Sequence, residues 1–367
     1  MMTSLTPETH VVAELRGRVG CITLNRPKAL NALSLDMLRS LTQTLQAWRD
    51  DDAVLAVVVR GVNKEGPFGA FCAGGDIRFF HQAALAGDAA LEDFFTEEYA
   101  LNHLIHTYPK PYIALMDGIV MGGGMGISQG ASLRIVTERS KLAMPETNIG
   151  LFPDVGGGYF LSRCAGRLGE YLALTGLVLT GREAITAGLA DGFIDSGRLP
   201  GLWASLERTP FENGASVERW CTSHLSTTAA PAPWPAKEVD RIFGLPDVPK
   251  IIAALEATDS DWARQTATTL RQRSPLMLHV VLDQIRRARG MGLADDLRME
   301  RDMVHRCFHL RPGAASETVE GIRALAVDKD HAPRWNPARI EDVTPAEVAA
   351  FFESPWPVDE HPLRRLG

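Results

Sequence analysis

The sequence predicts an α/β protein in which a strand-and-helix half precedes a mainly helical last third, and three observations carry that expectation. Short β-branched runs alternate with helical stretches over the first 195 residues. Glycine-rich turns separate strand runs from helical runs at residues 74–75 and 122–124. Beyond about Gly197 the strand-like runs give way to helical patterns, so the chain divides into residues 1–197 and 198–367.

Taken in order, residues 11–15 and 20–24 read as a hairpin around Arg16-Gly17-Arg18. Ser34 caps a helix running to Trp48, and Asp36 in its first turn favours the helix dipole. Residues 54–60 (VLAVVVR) have the unbroken β-branched character of a buried strand. Residues 111–116 (PYIALM) form another, followed by the Gly122-Gly123-Gly124 turn and a helix from about Met125. Residues 134–137 and 141–143 are short strands. The Pro/Ala-rich stretch 227–237 reads as a linker or exposed loop. Helices are expected over residues 250–257, 261–272, 276–289 and 293–307. The Pro-rich tail from Ser354 is expected to be loosely ordered.

Composition narrows the function. The 367 residues are 45% hydrophobic and 23% charged, an ordinary globular balance. A net charge of −7 argues against broad affinity for nucleic acid or an anionic membrane, while leaving room for a local basic pocket. Five scattered cysteines without a C-x-x-C pair indicate buried thiols in a reducing compartment, with neither a disulfide frame nor a zinc site. The opening MMTSLTPETH has neither the basic nor the apolar region of a signal peptide, and no apolar run approaches the ~20 residues of a spanning helix. A cytoplasmic location is therefore expected.

The chemistry concentrates between Met116 and Gly158. Gly74-Gly75 and Gly122-Gly123-Gly124 each follow a strand run and precede a helix, where unpaired N–H groups can approach a ligand. Two N–H donors from separate loops are what an oxyanion hole requires. Glu146 and Asp154 lie eight positions apart among apolar residues and glycines, a usual setting for acid, base or nucleophile chemistry. Each also has a plain structural reading: Pro-Glu suits a helix start, and Asp is an ordinary turn residue. Asp76 likewise suits a helix cap. Gly126-Ile127-Ser128-Gln129-Gly130 fits G-x-S-x-G, yet Ser128 falls a turn into the helix and not on a strand-to-helix elbow. His305/His309 and His103/His106 have ligand-like spacing, but no neighbouring motif completes either pair, so no metal is expected. Glu97-Glu98 reads as a solvated acidic face.

Together NRPKALNAL (residues 25–33), FCAGGDI (71–77), the triple glycine and Met144-Pro145-Glu146 resemble the crotonase superfamily of acyl-CoA enzymes. The resemblance implies a crotonase-like spiral of ββα units with a helical C-terminal region. It also implies an oxyanion hole from the N–H groups of Gly75 and Gly123. The hydratases of that family carry a glutamate two positions after the triple glycine, where this chain has Gly126. FPDVGGG (residues 152–158), Glu97-Glu98-Tyr99 and residues 321–335 instead resemble its 3-hydroxyisobutyryl-CoA hydrolase branch. That implies Glu146 and Asp154 as the catalytic carboxylates, with Glu98, Gly123, Glu146 and Asp154 contacting the acyl group. The implied reaction is thioester hydrolysis in valine breakdown, with CoA as part of the substrate and no cofactor. A hydratase or isomerase, a serine esterase using Ser128 and a silent acyl-CoA binder remain as alternatives. Assembly into a homo-oligomer through the C-terminal helices is compatible with the resemblance, as is coverage of that surface within one subunit.

Overall fold

A computed structural model describes residues 9–367 of the chain. Strands β1 (Val11–Arg16) and β2 (Val19–Leu24) form the expected antiparallel hairpin, turning at Gly17 with φ 59°. Helix α1 (Leu35–Arg49) begins where its cap predicts, with the Ser34 side chain accepting from the Met37 N–H. From β2 the sheet grows by parallel addition of β3 (Ala56–Gly61) and β4 (Tyr112–Met116). A second, small sheet joins β5 (Ile119–Met121), β7 (Lys141–Ala143) and β8 (Leu179–Thr180). Strands β6 (Leu133–Val136) and β9 (Gly192–Phe193) complete the large sheet in the order β1-β2-β3-β4-β6-β9.

The chain climbs through these two layers as a spiral. After β3, Cys72 bridges to Val120 in the small sheet, and α2 (Ile77–Ala86) and α3 (Ala90–His106) follow. The next turn is β4, β5 and α4 (Gly123–Gln129). The third is β6 and β7, then a 3₁₀ turn at Glu146–Ile149, α5 (Gly157–Ser162) and α6 (Leu168–Thr175). The triple glycine thus forms the first turn of α4 itself, earlier than the predicted start at Met125. A short helix α7 (Gly181–Thr186), with a capping box at Thr180, leads to β9.

Period-two alternation assigns the two faces of the large sheet. Val57 and Val59 point into the main core with Leu38, Leu41 and Met116, while Ala56 and Val58 point into a second core. That second core is closed by Leu199, Leu202 and Trp203 of α8 (Leu199–Ser205) and by Val217 and Cys221 of α9 (Gly214–Thr222). The chain after residue 197 therefore covers the back of the sheet before it builds the helical region. That region comprises α10 (Ala236–Phe243), α11 (Val248–Glu256), α12 (Asp261–Gln272), α13 (Pro275–Ala288), α14 (Leu293–His309), α15 (Glu317–Ile322) and α16 (Pro345–Ala349). Its side chains Leu276, Leu278, Leu297 and Val304 share the main core with residues of α1 and α3.

The tail is not loose. Leu363 is 3% exposed, Arg298 donates to the carbonyls of Leu363 and Leu366, and Trp356 packs edge-on against His305. Proline content suppressed the helical signal there, while side-chain donors from α14 satisfy the irregular backbone. No helix among the described residues is long and apolar enough to cross a membrane. Most of the N-terminal stretch read for a signal peptide lies outside the described residues.

Candidate active site

The turns and carboxyls that stood out in the sequence converge on one cavity. Gly75, Gly123, Glu98, Glu146 and Asp154 all line a space of about 220 Å³, with Met121, Phe80 and Leu325 among its apolar walls. Ser128 does not reach it: that side chain is fully buried in α4 and donates to the Gly124 carbonyl at 2.8 Å.

The two glycine turns meet because each is pinned by backbone hydrogen bonds that leave one N–H over. Leu33 bridges the first turn, its N–H donating to Gly74 and its carbonyl accepting from Asp76, which skips Gly75. Asp76 also caps α2 through the Phe79 N–H, so its structural reading and the exposure of Gly75 to the cavity hold together. In the second turn Gly122 takes φ 48° and ψ −121°, a conformation closed to other residues, and turns the Gly123 N–H out at the start of α4. Neither the Gly75 nor the Gly123 N–H has a hydrogen-bond acceptor among the described residues. Both glycines line the cavity, from two different turns of the chain.

Three carboxyls surround these donors. Glu98 enters from α3, 2% exposed, with Oε1 unpartnered. Its sequence neighbour Glu97 points the other way, to Arg39 at 2.7 Å, so the acidic pair has one outward and one buried member. Glu146 starts the 3₁₀ turn after Pro145, 6% exposed, with Oε2 unpartnered. Asp154 is 5% exposed and accepts the Tyr99 hydroxyl at 2.9 Å. No Lys or Arg among the described residues neutralises any of the three.

Burial therefore pushes all three carboxyls up. Desolvation, then the charges of Asp154 and Glu146, hold Glu98 well above the carboxylate range. Desolvation, then Asp154, does the same for Glu146. Asp154 is raised by burial to about 7, the Tyr99 hydroxyl opposing the rise, so it is the first of the cluster to ionise. Such a group holds its proton in the folded chain above the pH at which the unfolded chain has lost it.

The position that separates hydratases from this chain is physically closed. A Cβ on Gly126 would lie 2.6 Å from the Val155 Cβ and 2.9 Å from Asn102 Nδ2. Val155 occupies that space because it takes φ 58°, a strained setting for a β-branched residue, and it carries Asp154 beside it into the cavity. Sequence reasoning missed Tyr99 as the partner of Asp154, and Asn102 beside Gly126. The signal for Glu98 and Asn102 lay in α3 itself: both fall on its buried stripe with Leu91, Phe94, Phe95 and Ile105.

One sequence reading is corrected by the fold. The His305/His309 pair does gain a third donor, Glu92 from α3, whose Oε1 lies 3.2 Å from His305 Nδ1 and 2.8 Å from His309 Nε2. Arg301 pairs with the other oxygen, so the carboxylate is satisfied by a cation and two imidazoles, and the group ties α14 to α3. The ligand partner came from 213 positions away, beyond any local motif.

Two unpaired backbone N–H groups from separate turns beside buried carboxyls, on a two-layer ββα spiral, are the arrangement that acyl-transfer and enolate-forming chemistry requires. The family model described as Enoyl-CoA hydratase/isomerase matches residues 19–352, and the chain belongs to that family. Among its relatives is the mitochondrial 3-hydroxyisobutyryl-CoA hydrolase of Xenopus tropicalis, 41% identical over 92% of this chain and 87% of the relative. The Danio rerio protein of the same name is 38% identical over 99% of this chain and 94% of its own. Two solved structures superpose over nearly the whole chain. A carnitinyl-CoA dehydratase from Mycobacterium thermoresistibile is 37% identical at a TM-score of 0.85, covering 98% of this chain and 99% of its own. An enoyl-CoA hydratase from Rhodobacter sphaeroides 2.4.1 is 37% identical at 0.82, covering 95% and 98%.

Two predictions follow from this geometry. Asp154→Asn and Glu146→Gln remove acids that are raised in the folded state, whose contribution to stability falls as pH rises from the unfolded value near 4 through the folded one. Both variants are expected to melt higher than wild type at pH 8, with the difference vanishing near pH 4; thermal unfolding across pH reads it. Gly126→Glu is expected to destabilise the fold and to bring no crotonyl-CoA hydration, because Val155 fills its slot; a well-folded, hydrating variant would refute the steric reading.

Proposed function

We propose that the chain hydrolyses the thioester of 3-hydroxyisobutyryl-CoA, or a closely similar short 3-hydroxyacyl-CoA, to the free acid and CoA, a step of valine breakdown. The observation that carries this is the replacement of the hydratase glutamate slot by Val155, which leaves Glu146 with Asp154 as its companion beside two free N–H donors. The names of the relatives point the same way.

The thioester oxygen would lie between the N–H groups of Gly75 and Gly123. Donors of this kind are each worth about 3–4 kcal/mol of barrier, because they meet charge that develops only in the transition state. Glu146, in its ionised form, attacks the carbonyl carbon; the C–S bond breaks, CoA leaves as thiolate, and water then opens the mixed anhydride. The resemblance to the hydrolase branch favours this route over activation of a water by the same carboxylate. Asp154, held by Tyr99, orients the 3-hydroxyl or the hydrolytic water, and Glu98 shapes the acyl pocket. The reaction so written uses water and the substrate alone. Beyond the cavity mouth, a cleft of about 650 Å³ lined by Arg78, His81, Gln82, Leu85 and Val327 offers room for the rest of the CoA.

The decisive assay compares CoA release from (S)-3-hydroxyisobutyryl-CoA with hydration of crotonyl-CoA; dominant hydration without thiol release refutes the proposal. Glu146→Gln and Asp154→Asn are each expected to lose about 10²–10⁴-fold in kcat while staying folded. The acid limb of kcat/KM is expected well above the usual carboxylate range, because Glu146, raised by burial and by Asp154, must ionise to attack. Where residual turnover of Asp154→Asn is measurable, that limb is expected to move to lower pH, since the charge raising Glu146 is gone.

A further inference from the structure

The turn that carries Asp154 is held from an unexpected direction. Residues 153–159 pass from Pro153 through the left-handed pair Val155 and Gly156 into α5. The N–H groups at this helix start point away from the cavity, toward α14 of the C-terminal region. There Glu300 Oε2 accepts the Gly156 N–H at 2.7 Å and Oε1 accepts the Gly158 N–H at 2.9 Å. Asp296, one turn earlier on α14, accepts the Tyr159 N–H at 2.8 Å. Gln284 of α13 closes the arrangement, its Nε2 donating to the Pro153 carbonyl at 2.7 Å and to Glu300 Oε1 at 3.1 Å. Asp296 and Glu300 are both fully buried, and the thioester chemistry uses neither.

Such burial is costly for two acids, and neither makes an ion pair among the described residues. Capping a helix start of six residues does not require a pair of carboxyls. The third glycine of the turn belongs to the same arrangement, since a Cβ on Gly158 would lie 2.4 Å from Asp296 Oδ1. Glycine there lets the acids approach the backbone closely enough to grip it.

We propose that Glu300 and Asp296 are positioning residues for Asp154: they clamp the backbone of residues 156–159 and thereby hold the strained Val155 turn that presents the Asp154 carboxylate to the substrate. The two acids have unequal parts. Both oxygens of Glu300 accept from N–H donors, Oε2 from Gly156 and Oε1 from Gly158 and Gln284. Asp296 accepts one N–H at Oδ2, and its Oδ1 has no hydrogen-bond partner among the described residues. Burial is the main cause of the rise in both acids; Asp296 adds to the rise of Glu300, while the Tyr159 N–H and Glu300 oppose that of Asp296.

This inference rests on the role given to Asp154 above, and its test separates the two. Asp296→Asn keeps the acceptor for the Tyr159 N–H, the one hydrogen bond this side chain makes among the described residues, and is expected to retain turnover within about twofold. Glu300→Gln replaces one acceptor by an NH₂ group facing a backbone N–H, and is expected to lower kcat about 10–100-fold with little change in KM. In the Asp154→Asn background the same Glu300→Gln change is expected to alter kcat less than about twofold, because it acts through Asp154. Amide hydrogen exchange on the full-length chain is expected to accelerate within residues 153–162 in Glu300→Gln and to stay at the wild-type rate in Asp296→Asn. Unchanged exchange in Glu300→Gln, or losses that simply add to those of Asp154→Asn, would overturn the clamp. Should wild type release no CoA from the 3-hydroxyacyl thioester, the proposed reaction fails, and the exchange pattern still decides the clamp.

Discussion

The constraint on which this structure turns is the burial of Glu98, Glu146 and Asp154 together, without a cation, beside two unpaired N–H donors. Carboxyls in one dry pocket repel one another when ionised, and each loses its hydration. No local preference of the chain favours that arrangement, so packing elsewhere must impose it. Glu98 is carried in on the rigid frame of α3, whose opposite side is fixed by the pairing of Glu97 with Arg39. Glu146 is set by β7 and the proline before it, and Asp154 by the Tyr99 hydroxyl. The N–H groups of Gly75 and Gly123 add two unsatisfied donors beside the same carboxyls.

Much of this was legible because the signals are local. Ser34 names the start of α1, and the β-branched runs name β3 and β4, since capping and strand propensity act within a few residues. Gly74-Gly75 and Gly122–Gly124 were visible as turns because only glycine tolerates such backbone approach. Glu98 was less clear beside Glu97, where two adjacent acids read as one solvated face. Helical periodicity separates them: position 98 continues the apolar stripe of Leu91, Phe94 and Phe95, whereas position 97 does not. The same reading applied to α14 puts Glu300 in line with Leu297 and Val304. An acid on the buried stripe of an otherwise amphipathic helix carries more information than its immediate neighbours.

What escaped the sequence is whatever depends on chain segments far apart. The reach of Glu92 to His309 spans 217 positions, and that of Gly156 to Glu300 spans 144. Neither follows from spacing. The return of α8 and α9 to the back of the large sheet is of the same kind, since their apolar faces show only that they must be covered, not by what. The ordered tail depends on arginines of α14 donating to its carbonyls, a pairing that its own prolines do not announce.

These long-range contacts bear on which reaction the spiral performs. Two such N–H donors would serve chemistry at the carbonyl carbon and chemistry at a neighbouring double bond alike, so they do not discriminate between them. Discrimination lies in which groups can stand around the acyl chain. A glutamate on α4 needs the volume above Gly126 to be empty, and here Val155 fills it in a backbone conformation that costs about 1–3 kcal/mol to hold. That strain persists only if the turn is gripped from both sides, by Tyr99 on the Asp154 side chain and by α14 on the backbone behind it. Relaxing the turn would free the hydratase slot and withdraw Asp154 in the same movement. The two chemistries are therefore alternative occupations of one space, and the helical C-terminal region, through its hold on residues 156–159, favours the one that brings water to the carbonyl.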